Sequence, residues 1–234
     1  MASPEIEIPP PVDAQKSAIH IFSTPVPYLT AWDLQVRLHH ERVQNLRPDT
    51  VLILEHQPVY TLGRSTKQSH MPGDPTNLCT DGAELHRVNR GGSVTFHGPG
   101  QIVVYPILKL ARHASGPKQL VWLLEEAMIQ LLTRWGIAAS RLIKKPGVWV
   151  LEPEPKKIGF LGIRIERGVT LHGLALNVDL DLAPFQLIHP CGFSDCRVTS
   201  MAAVSNTAVS VSAIKHELAQ LFRTMFSLDW INAA

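Results

Sequence analysis

Cysteine is scarce. Three cysteines, Cys79, Cys191 and Cys196, are spread through 234 residues, too few for a disulfide scaffold. No Cys-x-x-Cys pair is present, and His97 and His172 lack zinc-motif spacing, so no metal site is expected. An excess of one charge is also missing. The 22 Lys and Arg residues stand against 20 Asp and Glu, for a net charge of +2, which argues against nucleic-acid binding driven by bulk charge. No window approaches the roughly 18 uncharged apolar residues of a membrane span. The first residues, MASPEIEIPPPVDAQKSA, have neither a basic start nor an apolar run, and they carry acids but no arginine, unlike secretory or transit peptides. A cytoplasmic protein is expected, mitochondrial only if a transit peptide is missing from the sequence.

What is present is a globular composition, 45% apolar and 18% charged, enough for a large single core. Residues 27–46 carry apolar side chains at broadly helical spacing, ended by Pro48. Residues 118–135 repeat Leu120, Leu124, Ala127, Met128, Leu131 and Leu132 on one helical face, with Gly136 as a stop. Ile214, Leu218, Leu221, Phe222 and Met225 mark a third helix. Strands are expected at 51–56, 58–62, 86–90, 101–110, 147–152, 157–165 and 169–180. Residues 64–82 read as a loop, long for a compact domain and of the kind that often carries function. The pattern predicts a tail over residues 1–18 and one α+β domain over 19–234, its helices packed on a mixed sheet.

Three segments are candidates for chemistry. RGGSVTFHGPGQ (90–101) concentrates glycine and proline, which let backbone N–H groups approach a ligand or simply form two tight turns. It lacks the Gly-Lys-Ser/Thr ending of a P-loop. HGLALN (172–177) sets a histidine in an apolar strand, where the ordinary role is structural. IHPCGF (188–193) places Cys191 in a turn, although a lone thiol is usually a small buried apolar group. A nucleophilic thiol needs a base or a cation beside it. His97, His172, His189, Lys156 and Lys157 are available, and base rate favours a histidine. Lys157, at the start of an apolar strand, is the other kind of candidate, since desolvation disfavours an ammonium.

Several segments together resemble the octanoyltransferase family of lipoate biosynthesis. They are EHQPVYTLGRS (55–65), RGGSVTFHGPGQIVVYPIL (90–108), GVWV (147–150), KIGFLGIRIERGVTLHGLALNVDLDL (157–182) and PCG (190–192), in the family's order. The resemblance implies an α+β fold like that of biotin- and lipoate-protein ligases. It implies transfer of an octanoyl group from octanoyl-acyl carrier protein to a lysine of lipoyl domains, those of 2-oxoacid dehydrogenases and the glycine-cleavage H protein, with no cofactor, by a monomer. It places the acyl-carrying thiol on Cys191 and the activating lysine on Lys157, replacing the histidine preference. It places substrate binding on Arg90, Gly91, Gly92, Ser93, Val94, Thr95, Phe96 and His97, on Phe160, Leu161 and Gly162, and on Gly173, Leu174 and Ala175. Phe160 stands where the family commonly has a smaller residue, and Pro146 stands where it often has threonine. Arg64, Arg87 and Arg90 are read as a basic rim for acidic partner domains. An ATP-dependent ligase of the same fold and a non-catalytic carrier-binding scaffold are the alternative readings.

Overall fold

Two apolar faces of one large sheet organise the chain. The computed structural model describes residues 6, 16–73, 78–79, 82–151, 154–192, 196–205 and 207–233. In order, its elements are β1 (Ala18–Ile21), α1 (Tyr28–Val43), β2 (Thr50–Leu54), β3 (Val59–Leu62), β4 (Glu84–Arg87), β5 (Val94–His97), β6 (Gln101–Ile107), α2 (Leu110–His113), α3 (Pro117–Arg134), β7 (Ala139–Leu142), β8 (Lys145–Val150), β9 (Lys156–Glu166), β10 (Val169–Asn177), α4 (Met201–Val204), α5 (Val211–Met225) and β11 (Trp230–Ala233). Short 3-10 turns occupy Gln68–His70, Ala183–Leu187 and Pro190–Gly192.

The large sheet runs β11-β1-β2-β6-β10-β9-β8-β7, and a second sheet runs β4-β3-β5. β1 pairs parallel with β2 and β11, and antiparallel pairs join the remaining strands of the large sheet. The sheet is therefore mixed, and the chain is one α+β domain, as expected.

Alternation along the strands builds the layers. Ile53, Val104 and Leu174 face one way and pack with Leu124, Met128 and Leu131 of α3 and Leu218 and Phe222 of α5. Their sequence neighbours Leu52, Val103 and Ala175 face the other way, into a core shared with Ala31, Leu34 and Leu38 of α1 and with Tyr60, Val94 and Phe96 of the small sheet. The candidate site sits on this second side.

Several expectations need correction. The first helix ends at Val43 rather than near Pro48, because Asn45 takes a left-handed φ of 57°, a conformation asparagine tolerates. β1, β7 and β11 are four residues each, too short for a periodic signal. β5 lies inside the segment whose glycines read as turns. Of residues 1–18, Ser17 and Ala18 belong to the folded body: Ser17 donates to Asp229 through its backbone N at 2.7 Å and its hydroxyl at 2.8 Å, and Ala18 opens β1. Residues 1–5 and 7–15 of the expected tail lie outside the described residues.

Asp49 ties α1, β2 and α2 together. Burial alone would raise its pKa, but hydrogen bonds from His113, Arg42 and the Lys109 N–H pull it from 3.8 down to about 2. Its contribution is complete above the unfolded value and lost as the pH falls through the folded one. Between about pH 4 and pH 2 the domain should lose roughly 2 kcal/mol from this group. Urea unfolding of Asp49→Asn should show that much less acid sensitivity over the same window.

Candidate active site

The centre of the site is the β9–β10 ladder. Its register sets Phe160 opposite Ala175, Leu161 opposite Leu174 and Gly162 opposite Gly173. The bare surface at Gly162 is occupied by Arg90: a methyl group there would lie 3.0 Å from the Arg90 Cδ. Arg90 is 8% exposed and donates to the Thr61 carbonyl at 2.7 Å, the Thr61 hydroxyl at 2.8 Å and the Gly91 carbonyl at 3.0 Å. It is an internal strut that pins the glycine-rich loop to β3. Of the three arginines read as a docking rim, only Arg64 and Arg87 are exposed.

Between this ladder and the loop lies a cavity of about 40 Å³. Phe160, Leu161, Gly162, Gly173, Leu174 and Ala175 form one wall. Arg90, Gly92, Ser93, Val94, Thr95 and His97 form the facing one. Two of the expected substrate residues lie behind it. The Gly91 N–H is spent on the Ile163 carbonyl at 3.1 Å. Phe96, pointing to the opposite face of β5, packs against Tyr60 with ring centroids 4.9 Å apart. Sequence reasoning missed Tyr28, Val103 and Tyr105, which complete the lining. A usable signal existed for Tyr105, a hydroxyl in an otherwise apolar strand that must find a partner when buried. That partner is His56, at 2.6 Å.

Three histidines form the polar part of this region. His97 bonds Gln101 at 2.6 Å and lies 3.3 Å from the Thr61 hydroxyl. His172 contacts Asn89 at 2.7 Å and stacks on Trp32 with ring centroids 5.0 Å apart. Burial holds all three neutral. The pKa of His56 falls to about 4 and that of His172 to about 3, and that of His97 is pushed well below the ordinary histidine value. They are paired pocket groups.

Lys157 begins β9 and is 1% exposed. Its Nζ donates to the Pro146 carbonyl at 2.7 Å and lies 5.3 Å from the Trp149 ring and 5.1 Å from the Phe160 ring. Gly147 makes this possible: at φ 114° it leaves open the space that the Lys157 stem fills. The Lys157 backbone accepts from the Thr199 N–H at 2.9 Å and donates to the Arg197 carbonyl at 2.8 Å. These bonds bind the head of β9 to the segment that follows the Pro190–Gly192 turn.

That turn carries Cys191. Gly192 has φ 78° and donates to the His189 carbonyl at 2.9 Å. The Cys191 thiol lies outside the described atoms. Cys79 is exposed, and Cys196 is half-buried in a groove beside His189 and Pro190. Among the described residues no three of His, Cys, Asp and Glu converge to hold a metal ion, and no helix is long and apolar enough to cross a membrane.

The profile of the lipoyl protein ligase A/B catalytic domain matches residues 27–223. The chain belongs to this family. An octanoyltransferase of Chloroflexus aggregans is 41% identical over 209 residues, covering 89% of this chain and 94% of the relative. One from Bacteroides fragilis is 42% identical over 201 residues, covering 82% and 90%. Family membership thus comes with octanoyltransferase relatives that match almost end to end. Among solved structures, the bipartite lipoate protein ligase of Thermoplasma acidophilum superposes with a TM-score of 0.66 at 15% identity, covering 95% of this chain and 88% of that one. A lipoate-protein ligase A bound with ATP gives 0.66 at 15%, covering 94% and 89%. At such identity these two establish the lipoate-ligase fold.

Proposed function

We propose that this family member is an octanoyltransferase of protein lipoylation. It moves an octanoyl group from octanoyl-acyl carrier protein to a lysine of lipoyl domains and of the glycine-cleavage H protein. The observation that carries the reading is Lys157: a buried amine on the wall that ends in Phe160, hydrogen-bonded through its backbone to the segment just after the Cys191 turn.

In the first step the Cys191 sulfur attacks the thioester carbonyl, its proton passing to Lys157. The tetrahedral intermediate collapses with cleavage of the donor's C–S bond, and the carrier thiol leaves with a proton. In the second step the acceptor amine attacks the enzyme thioester, the C–S bond to Cys191 breaks, and the amine's proton returns through Lys157. Thioester-to-thioester exchange is nearly balanced and thioester-to-amide transfer is downhill, so the cycle needs no ATP. Intact-protein mass spectrometry after mixing with octanoyl-carrier protein should show one octanoyl adduct on Cys191 without ATP, absent in Cys191→Ala. A requirement for ATP would instead favour a ligase.

The cavity, at about 40 Å³, has room for about three waters but not for an eight-carbon chain. Phe160, stacked on Phe185 with ring centroids 5.3 Å apart, closes one side. The tail therefore enters by displacing this pair. Phe160→Ala should favour longer acyl groups. At about 0.8 kcal/mol per buried CH₂, a donor longer by two carbons gains about 1.6 kcal/mol, roughly fifteenfold in relative kcat/KM measured by competition. An unchanged ratio would place the tail elsewhere.

A further inference from the structure

The long loop between β3 and β4 brings one residue to the catalytic turn. His70 ends the Gln68–His70 turn, and its carbonyl accepts the His189 N–H at 2.8 Å, so the Cys191 segment hangs from it. Its ring lies over Gly192. A methyl group at Gly192 would sit 2.8 Å from the ring Cε1 and 3.0 Å from Nε2. The other ring nitrogen, Nδ1, lies 2.5 Å from the Ser93 hydroxyl and 3.3 Å from the Lys67 backbone N.

The partners of Nδ1 fix the tautomer. A backbone N–H can only donate, so Nδ1 is an acceptor and the ring proton sits on Nε2. The Ser93 hydroxyl then donates as well, although it could have done either. Burial, with Lys67 and His189 nearby, lowers the pKa of the imidazole, which keeps the ring neutral at pH 7. The result is an oriented N–H dipole beside the residue that follows Cys191, held by Ser93, which itself lines the acyl cavity.

We propose that His70 is a catalytic residue whose Nε2–H donates to the oxyanion formed when the Cys191 sulfur adds to a thioester carbonyl. The assignment rests on the Cys191 reading above. No proton is transferred: the carbonyl π pair moves to oxygen as the S–C bond forms, the N–H stabilises that oxygen, and the pair returns as the leaving C–S bond breaks. Preorganised donors of this kind act at the moment charge develops, and removing one costs about 10²–10³ in rate.

The test compares two reactions of the same thiol. Acylation by octanoyl-carrier protein passes through an oxyanion, whereas alkylation by iodoacetamide does not. Both are read at Cys191 by peptide mass spectrometry. His70→Phe keeps a ring over Gly192 without the N–H. It should slow acylation about 10²–10³-fold and leave alkylation at the wild-type rate. His70→Gln, whose amide N can stand in for Nε2, should restore most of the acylation rate. Ser93→Ala removes one anchor of the tautomer and should slow acylation by about tenfold with alkylation unchanged, which carries the test if His70→Phe fails to fold. The assignment is overturned if acylation survives in His70→Phe, if alkylation falls in step with acylation, or if glutamine is no better than phenylalanine. A wild-type protein that acquires no octanoyl group on Cys191 would overturn the Cys191 reading itself, and the His70 role with it.

Discussion

Lys157→Met should slow octanoyl transfer by about 10²–10⁴-fold, the range for losing a positioned acid–base group. Methionine is similar in length and can fill the channel between Trp149 and Phe160, so the change removes chemistry more than packing. The lost contact in the fold is the bond to the Pro146 carbonyl. Losing a cationic or proton-accepting neighbour makes a thiolate harder to form. The pH profile of Cys191 alkylation in Lys157→Met should therefore shift upward, unlike that of any His70 variant. Lys157→Arg is not a conservative control, since guanidinium cannot give up its proton and its planar head does not match the space. A Lys157→Met enzyme with wild-type transfer rate and wild-type alkylation profile would remove Lys157 from the mechanism.

Gly147→Ala should both destabilise the domain and silence it. At φ 114° a side chain is strained whatever the space, and here the space is taken: the new methyl would lie 2.5 Å from the Gly159 carbonyl oxygen and 2.6 Å from the Lys157 Cε. The first neighbour is sheet backbone and cannot yield. Strain and overpacking together should cost about 2–4 kcal/mol, read as a lower urea midpoint with unchanged slope. The second neighbour is the stem of Lys157, so activity corrected for the folded fraction should fall by about 10²-fold or more, since a small misplacement of a reacting group is costly. Gly136→Ala, whose glycine also has positive φ but open space around it, separates the two effects: it should show the strain without the loss of activity.

Much of this was legible in the sequence, for physical reasons that differ by segment. The apolar stripe of α3 and the alternation of β9 and β10 are strong periodic signals, so these elements were placed to within a few residues. Lys157 stood out because an amine at the head of an apolar strand demands an explanation. β1 and β11 were hidden, because four residues cannot display a period and their pairing partners lie far away in the chain. Arg90 read as a surface charge because sequence does not reveal that Thr61 waits beneath it with two acceptors. His70 was invisible in a polar loop: its meaning comes from Ser93 and Gly192, which only the fold brings to it. Phe96 was misassigned by one step of strand alternation, in a segment whose glycines masked the strand.

The neutral histidines around the acyl slot have a consequence for how the enzyme responds to acidity. His56 and His172 gain a proton only near pH 4 and pH 3, and His97 likewise lies far below neutrality. Above about pH 5 the slot is electrically silent: none of these three imidazoles changes its charge, so the cost of seating a hydrocarbon chain beside them stays constant. Chain-length selectivity and pH are then independent variables, and a bell-shaped rate profile near neutrality would report on the thiol, the amine and the incoming partners rather than on the slot that measures the chain.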